Sequence, residues 1–152
     1  MKNSLFLLIA FTVQLVALSC SKSSSYSSNT GSQITVANLS GTYALKGLIG
    51  NYAGVTINIY DSLKACQKDN LLQLNTDMSL SLIDAGIVCV PPETTTGTWA
   101  LKADSLLFSG AVLIGSSKIK SFDGTTLVLT GNPPPATGLP SVIVTETTLQ
   151  KQ

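Results

Sequence analysis

Over most of its length the chain places apolar residues on every second position and interrupts the pattern with Gly, Pro, Asn or Asp. Met78-Ser79-Leu80-Ser81-Leu82 alternates apolar and polar, Leu72 and Leu74 do the same, and Val55, Ile57 and Ile59 alternate with Thr56, Asn58 and Tyr60. Successive side chains of a strand point to opposite faces, so each segment has one apolar face and one polar face. Residues 42–49, 98–102, 105–108, 117–122, 125–130 and 141–148 read as further strands, with turns at 75–77, 103–104, 123–124 and 131–138. Only 61–68 departs from the pattern, as a short helix or a loop. Short strands with tight connections build an antiparallel meander, and unpaired edges favour curling until the first and last strands meet. The expectation is an all-β fold: a small antiparallel up-and-down β-barrel of about eight strands formed by residues 38–152, enough chain for one core and not two.

The inward face of that barrel is expected to carry Leu72, Leu74, Met78, Leu80, Leu82, Trp99, Leu101, Leu127 and Leu129. Trp99 is the only tryptophan. In phase with Leu101, it should lie inside the barrel near one end, close to any cavity, with its N–H bonded to a backbone carbonyl or water. Gly41-Thr-Tyr-Ala-Leu-Lys46 and Gly97-Thr-Trp-Ala-Leu-Lys102 echo each other, as two strand starts with an aromatic and then a leucine turned inward.

What precedes the domain is of another kind. Lys2 is followed by an apolar run over 5–18 broken only by Thr12 and Gln14, too short for the roughly 20 apolar residues that span a bilayer and typical of a secretory signal peptide, here 1–19. Ala17-Leu18-Ser19-Cys20 resembles the lipobox at which bacterial lipoproteins are cut and acylated on the cysteine. Residues 21–33 read SKSSSYSSNTGSQ, a serine-rich tether, so 20–37 is expected to be a lipidated cysteine and a flexible linker. Two or three acyl chains, unlike one, hold a protein durably to a membrane. Ser21 resembles an outer-membrane destination, and the lack of acids after Cys20 argues against a surface-export tag. The expected place is the bacterial cell envelope, at the outer membrane, on either leaflet.

Export exposes the remaining thiols to oxidising conditions. With Cys20 consumed by lipid, Cys66 and Cys89 are left, and a disulfide between them is the economical expectation. Two thiols without any histidine make a poor metal site, and the pair lacks the C-x-x-C spacing of a redox centre.

The chain has 9 basic residues, all lysine, against 8 acids. Removal of Lys2 with the signal peptide leaves a neutral protein without the basic stripe that nucleic acid requires. The absence of histidine and arginine removes the usual base near neutrality and the bidentate clamp for phosphate or carboxylate. Ser117-Lys-Ile-Lys120 matches S-x-x-K, but a strand turns the two ends of that motif apart. Asp61, Asp69, Asp77, Asp84, Asp104 and Asp123 fall mostly at turns, where carboxylates cap backbone amides; Asp69, Asp77 and Asp84 are the one grouping that suggests a carboxylate or calcium site. No enzyme activity, metal or cofactor is expected.

From about Leu39 to Leu149 the chain resembles the lipocalin-like domains of Bacteroidetes lipoproteins. The resemblance rests on LSGTYALKG, on Cys66-Gln-Lys-Asp-Asn-Leu-Leu-Gln-Leu-Asn leading into the strand that starts at Met78, and on Cys89 before a proline-rich turn. It continues in Thr96-Gly-Thr-Trp-Ala-Leu, Asp104-Ser-Leu-Leu-Phe and Lys120-Ser-Phe-Asp-Gly-Thr-Thr-Leu-Val-Leu. It implies a lipocalin-like barrel with the two cysteines bridging neighbouring strands. Three departures stand out: Tyr43 occupies the place of the G-x-W tryptophan, no arginine covers that ring from the last strand, and the turn at Asp77-Met78 lacks the usual glycine.

Two functions follow. Either the barrel holds a small hydrophobic molecule, or its interior is filled and its outer surface meets another envelope protein. Eight strands enclose a space that side chains can just fill or that admits one ligand.

Overall fold

The computed structural model of the protein describes residues 33–110, 114–132 and 143–152; the expected signal peptide, Cys20 and most of the serine tether lie outside them. The alternation becomes nine strands: β1 (Gly41–Tyr52), β2 (Val55–Asn58), β3 (Leu71–Leu74), β4 (Ser79–Ile83), β5 (Thr95–Lys102), β6 (Ser105–Gly110), β7 (Ser117–Phe122), β8 (Thr126–Gly131) and β9 (Val144–Lys151). Three single-turn helices accompany them: α1 (Val36–Leu39) before the sheet, and α2 (Ile59–Ser62) and α3 (Ala65–Lys68) between β2 and β3. The segment 61–68 is thus neither one helix nor a plain loop.

All strand pairings are antiparallel. They run β1-β3-β4-β5-β6-β7-β8-β9, and β9 pairs back onto β1, which closes an eight-stranded up-and-down barrel with β2 as an extra strand on β1. The closing seam runs from Tyr43↔Lys151 to Asn51↔Val144, whereas β6 and β7 share only Ser105↔Lys118 and Leu106↔Ser117.

Inside, Leu72, Leu74, Leu80, Trp99, Leu127 and Leu129 are buried together with Leu39, Tyr43, Leu106, Ile119, Phe122 and Leu149. Leu101 packs half-buried against them and Leu82 is half-buried. Each buried leucine contributes about 1.5–3 kcal/mol relative to exposure. Met78 does not belong to this set. It takes φ +66 in the β3–β4 turn and is 45% exposed, so it occupies the backbone position that glycine usually fills, at a cost of roughly 1–2 kcal/mol. The alternation that includes it starts one residue too early, because Ser79 is the first residue of β4.

Trp99 is 1% exposed, and its indole N–H donates to the carbonyl of Asn75 at 3.0 Å. It therefore sits inside and near one end, at the turn over 75–78. That end is closed by α1. Thr35 caps the helix, its hydroxyl accepting from the amide of Asn38 at 3.2 Å, and Leu39 is driven fully into the barrel.

Five residues lock the closure. The Tyr43 hydroxyl donates to the carbonyl of Leu39 at 2.7 Å. Lys151, from β9, lies 5.8 Å from the centre of the Tyr43 ring and donates to the carbonyl of Asn38 at 3.0 Å. A lysine thus supplies the cation over the ring that no arginine can. Its stem crosses Gly41, whose φ is +151 and where a Cβ would stand 2.2 Å from the Lys151 Cε, so a side chain there would adopt a rarely populated φ and displace the lysine.

Burial pushes the Tyr43 phenol up to about 12, since the interior disfavours the phenolate. A raised folded-state pKa stabilises the fold fully below the unfolded value near 10 and loses that contribution as pH rises through about 12. Tyr43→Phe should cost about 1–2 kcal/mol at pH 7 through the unpaired Leu39 carbonyl, and urea titrations should show a smaller loss of stability above pH 10 than in the wild type.

Candidate ligand-binding recess at the open end

The opposite end is built differently. A β-bulge between Leu45 and Gly47 shifts the β1 register against β9, so that Leu45 and Leu48, three positions apart, both face inward. With Tyr43, Leu72, Leu82, Ile114, Thr147, Gln67 and Asn70 they line a recess of ≈ 50 Å³. The lining is mostly apolar, and its polar edge comes from Thr147 on β9 and from Gln67 and Asn70 beside the disulfide.

Above the recess, β1 outruns β3 and pairs with β2 instead, which forms a flange on that side of the mouth. Gly50 opposes Ile57 and Tyr52 opposes Val55, so these residues share the inward face with Leu48. A Cβ on Gly50 would meet Ile59 at 2.9 Å and Ile143 at 3.1 Å; the bare backbone there lets both isoleucines fold over the mouth. Tyr52, Val55 and Ile57 remain 52%, 60% and 47% exposed, which extends the apolar lining outward into solvent.

The other side of the mouth is a clamped loop over 84–93. Cys66 and Cys89 form a disulfide with Cα atoms 5.2 Å apart, within the reach a bridge requires. Three acids support it through backbone amides and side chains. Asp84 accepts from the amides of Cys89 and Glu93 at 3.1 and 3.0 Å, Asp69 accepts from the amide of Ile87 at 2.7 Å, and Glu93 accepts from the Gln67 amide at 3.0 Å. Asn70, with its amide nitrogen turned toward them, donates to the carbonyl of Cys66 at 3.0 Å and to Asp84 at 3.2 Å. The bridge and the acids thus hold Gln67 and Asn70 at the recess.

The same bonds dissolve the suggested carboxylate site. Asp69 and Asp84 are committed to loop amides, while Asp77 lies at the far, closed end, capping the amide of Ser79 at 2.9 Å. Hydrogen bonds from Ser79 hold the Asp77 carboxyl below its ordinary range. The amides of Thr126 and Thr125 lower Asp123 to about 2, as expected of a turn cap. Asp104 pairs with Lys118 at 3.0 Å, which lowers its carboxyl too. Among the described residues no group of three or more His, Cys, Asp or Glu side chains could hold a metal ion. Ser117 is buried and donates to the carbonyl of Gly115, whereas Lys120 is exposed and pairs with Glu146; the S-x-x-K motif is not brought together.

Trp99 does not line the recess. It is bonded to the turn over 75–78 at the closed end, while the recess forms at the bulge and the disulfide. Of the lining residues, Leu72 and Leu82 were expected inside from alternation, and Tyr43 and Leu45 from the echoed strand start; the others were hidden, since Leu48 comes into phase with Leu45 only through the bulge, Thr147 is polar, and Gln67, Asn70 and Ile114 come from loops and a helix. No helix among the described residues is long and apolar enough to cross a membrane. No protein-family model, curated protein or solved structure matches this chain.

Replacing both Cys66 and Cys89 with serine should lower stability by about 3 kcal/mol, as expected for a loop of this length. Hydrogen exchange at the amides of Ile87, Cys89 and Glu93 should accelerate more than at the amide of Trp99, which is anchored to the carbonyl of Met78 at 2.9 Å on the other end of the barrel.

Proposed function

We propose that this chain is a lipocalin-like lipoprotein of the bacterial cell envelope, anchored by acylated Cys20 at the outer membrane, whose barrel is a non-enzymatic binding module for a small hydrophobic molecule. The anchor is supported by the signal-like residues 1–19 and by Ala17-Leu18-Ser19-Cys20. The binding role is supported by one observation: the recess of ≈ 50 Å³ lined by Leu45, Leu48, Leu72 and Leu82, with Tyr52, Val55 and Ile57 exposed above it on the same face. Pockets that enclose a drug-sized ligand hold about 300–1,000 Å³. The mode proposed is accordingly partial: the end of an alkyl chain or a small ring enters the recess, and the flange covers the part that follows.

A second function is favoured by a different observation. Ile87, Val88 and Val90 are 60%, 58% and 91% exposed on the clamped loop, and the barrel below the recess is packed with leucines and Trp99. A filled barrel presenting these residues would act as an interaction module for another envelope protein.

Saturated fatty acids of increasing length, titrated into purified protein by calorimetry, separate the two. Tip insertion predicts saturable binding that improves with the first few methylenes and then levels off, and its loss in Leu48→Trp, whose indole fills the recess. Absence of binding across the series would leave the interaction module. The anchor has its own check: Cys20→Ser should move the protein from the membrane fraction to the soluble fraction, and continued membrane retention would defeat it.

A further inference from the structure

The barrel has no edge where β1 meets β9, but β2 reintroduces one. On one side β2 pairs with β1 through Tyr52↔Val55, Gly50↔Ile57 and their neighbours; on the other, no strand among the described residues pairs with it. Ala53 and Gly54 form the two-residue turn, both with positive φ, so the closing pair Tyr52 and Val55 exchanges both of its hydrogen bonds and alternate residues point the other way. The amide and carbonyl of Val55 and Ile57 are therefore directed at β1, and those of Thr56, with the amide of Asn58, at the free edge; the Asn58 carbonyl is taken up by α2, whose N-cap it is.

Exposed edges are ordinarily guarded by lysine, proline, a bulge or a covering element. β2 has no such guard. No charged residue occurs between Lys46 and Asp61, and all four residues of β2 are exposed. The segment is short, β-branched and uncharged, the composition that takes up a further strand.

We propose that the free edge of β2 pairs antiparallel with the same edge of a second copy of this chain, Thr56 lying opposite the second copy's Thr56. The register follows from two constraints. The outward amide and carbonyl of Thr56 form a reciprocal bonded pair only with an identically directed residue. A two-fold axis perpendicular to the sheet keeps the inward faces of both copies on one side, so Val55 must oppose a residue of that face, which the second copy's Ile57 supplies. β-Branched residues then face each other across the seam, as cross-strand pairs prefer. The absence of charge leaves nothing to repel a second copy and nothing to select a charged foreign strand. The contact is self-complementary and closes at two copies. With only four residues per edge it is far smaller than a standard interface, so it forms where copies are concentrated. The pairing does not depend on the recess holding a ligand.

The test uses the full chain in the cells that produce it. Thr56→Cys, treated with a short bis-maleimide, should give a cross-linked homodimer, while wild type and Val88→Cys, an exposed position away from the edge, should not. Adding Ile57→Lys to Thr56→Cys should abolish the dimer by placing charge at the seam. A dimer no stronger than in Val88→Cys or wild type would overturn the proposal, as would one that persists with Ile57→Lys. A cross-link to a different protein would assign the edge to a foreign strand instead.

Discussion

The pairing of β9 with β1 is the constraint on which the rest of this structure depends. It converts a meander into a barrel, gives the apolar faces of eight strands a common interior, and leaves one end to be plugged by α1. Backbone hydrogen bonds alone would allow the last strand to slide. Lys151 prevents that by spanning Gly41, covering the Tyr43 ring and bonding to the Asn38 carbonyl, while Tyr43 ties the same ring to Leu39. A slip of one residue would turn the inward face of β9 outward, and these contacts exist in one register only.

The two ends of the barrel then acquire opposite character. At the closed end, polar groups are matched to backbone partners: Trp99 to Asn75, Asp77 to Ser79, Asp123 to Thr125 and Thr126. At the open end, β1 bulges and outruns β3, and apolar residues that would otherwise pack inside are left at the surface. A bulge of one residue is enough to bring Leu45 and Leu48 to the same wall. The mouth stays ordered on its other side because Asp69, Asp84 and the disulfide tie the 84–93 loop to α3 and its neighbours. In the proposed role as a binding module, the filled lower half serves as a rigid support and the upper rim makes the contacts.

Period-two alternation was enough to find half of the buried interior, six of its twelve residues. Leu72, Leu74, Leu80, Trp99, Leu127 and Leu129 lie buried where alternation put them, because on a pleated strand phase determines face. Met78 fails for the reason the others succeed: phase holds only within a strand, and a turn residue in the left-handed region has none. The pairing of Cys66 with Cys89 was expected from the proposed export and the cysteine count, and the two sulfurs are joined in the structure. Its geometric role, holding Gln67 and Asn70 at a recess, did not.

By itself the sequence determined that this protein is built of short antiparallel strands around one apolar interior, since alternation and turn residues are local properties. It determined the disulfide partners as well. Only the tertiary structure decided that Tyr43 would be covered by Lys151, that Leu45, Leu48 and Ile114 would meet around a recess, that Trp99 would lie at the end away from it, and that β2 would be left with a free edge. Each of these depends on the register of strands distant in sequence, on one bulge, and on where the barrel closes, and those are set by the summed packing of the whole sheet.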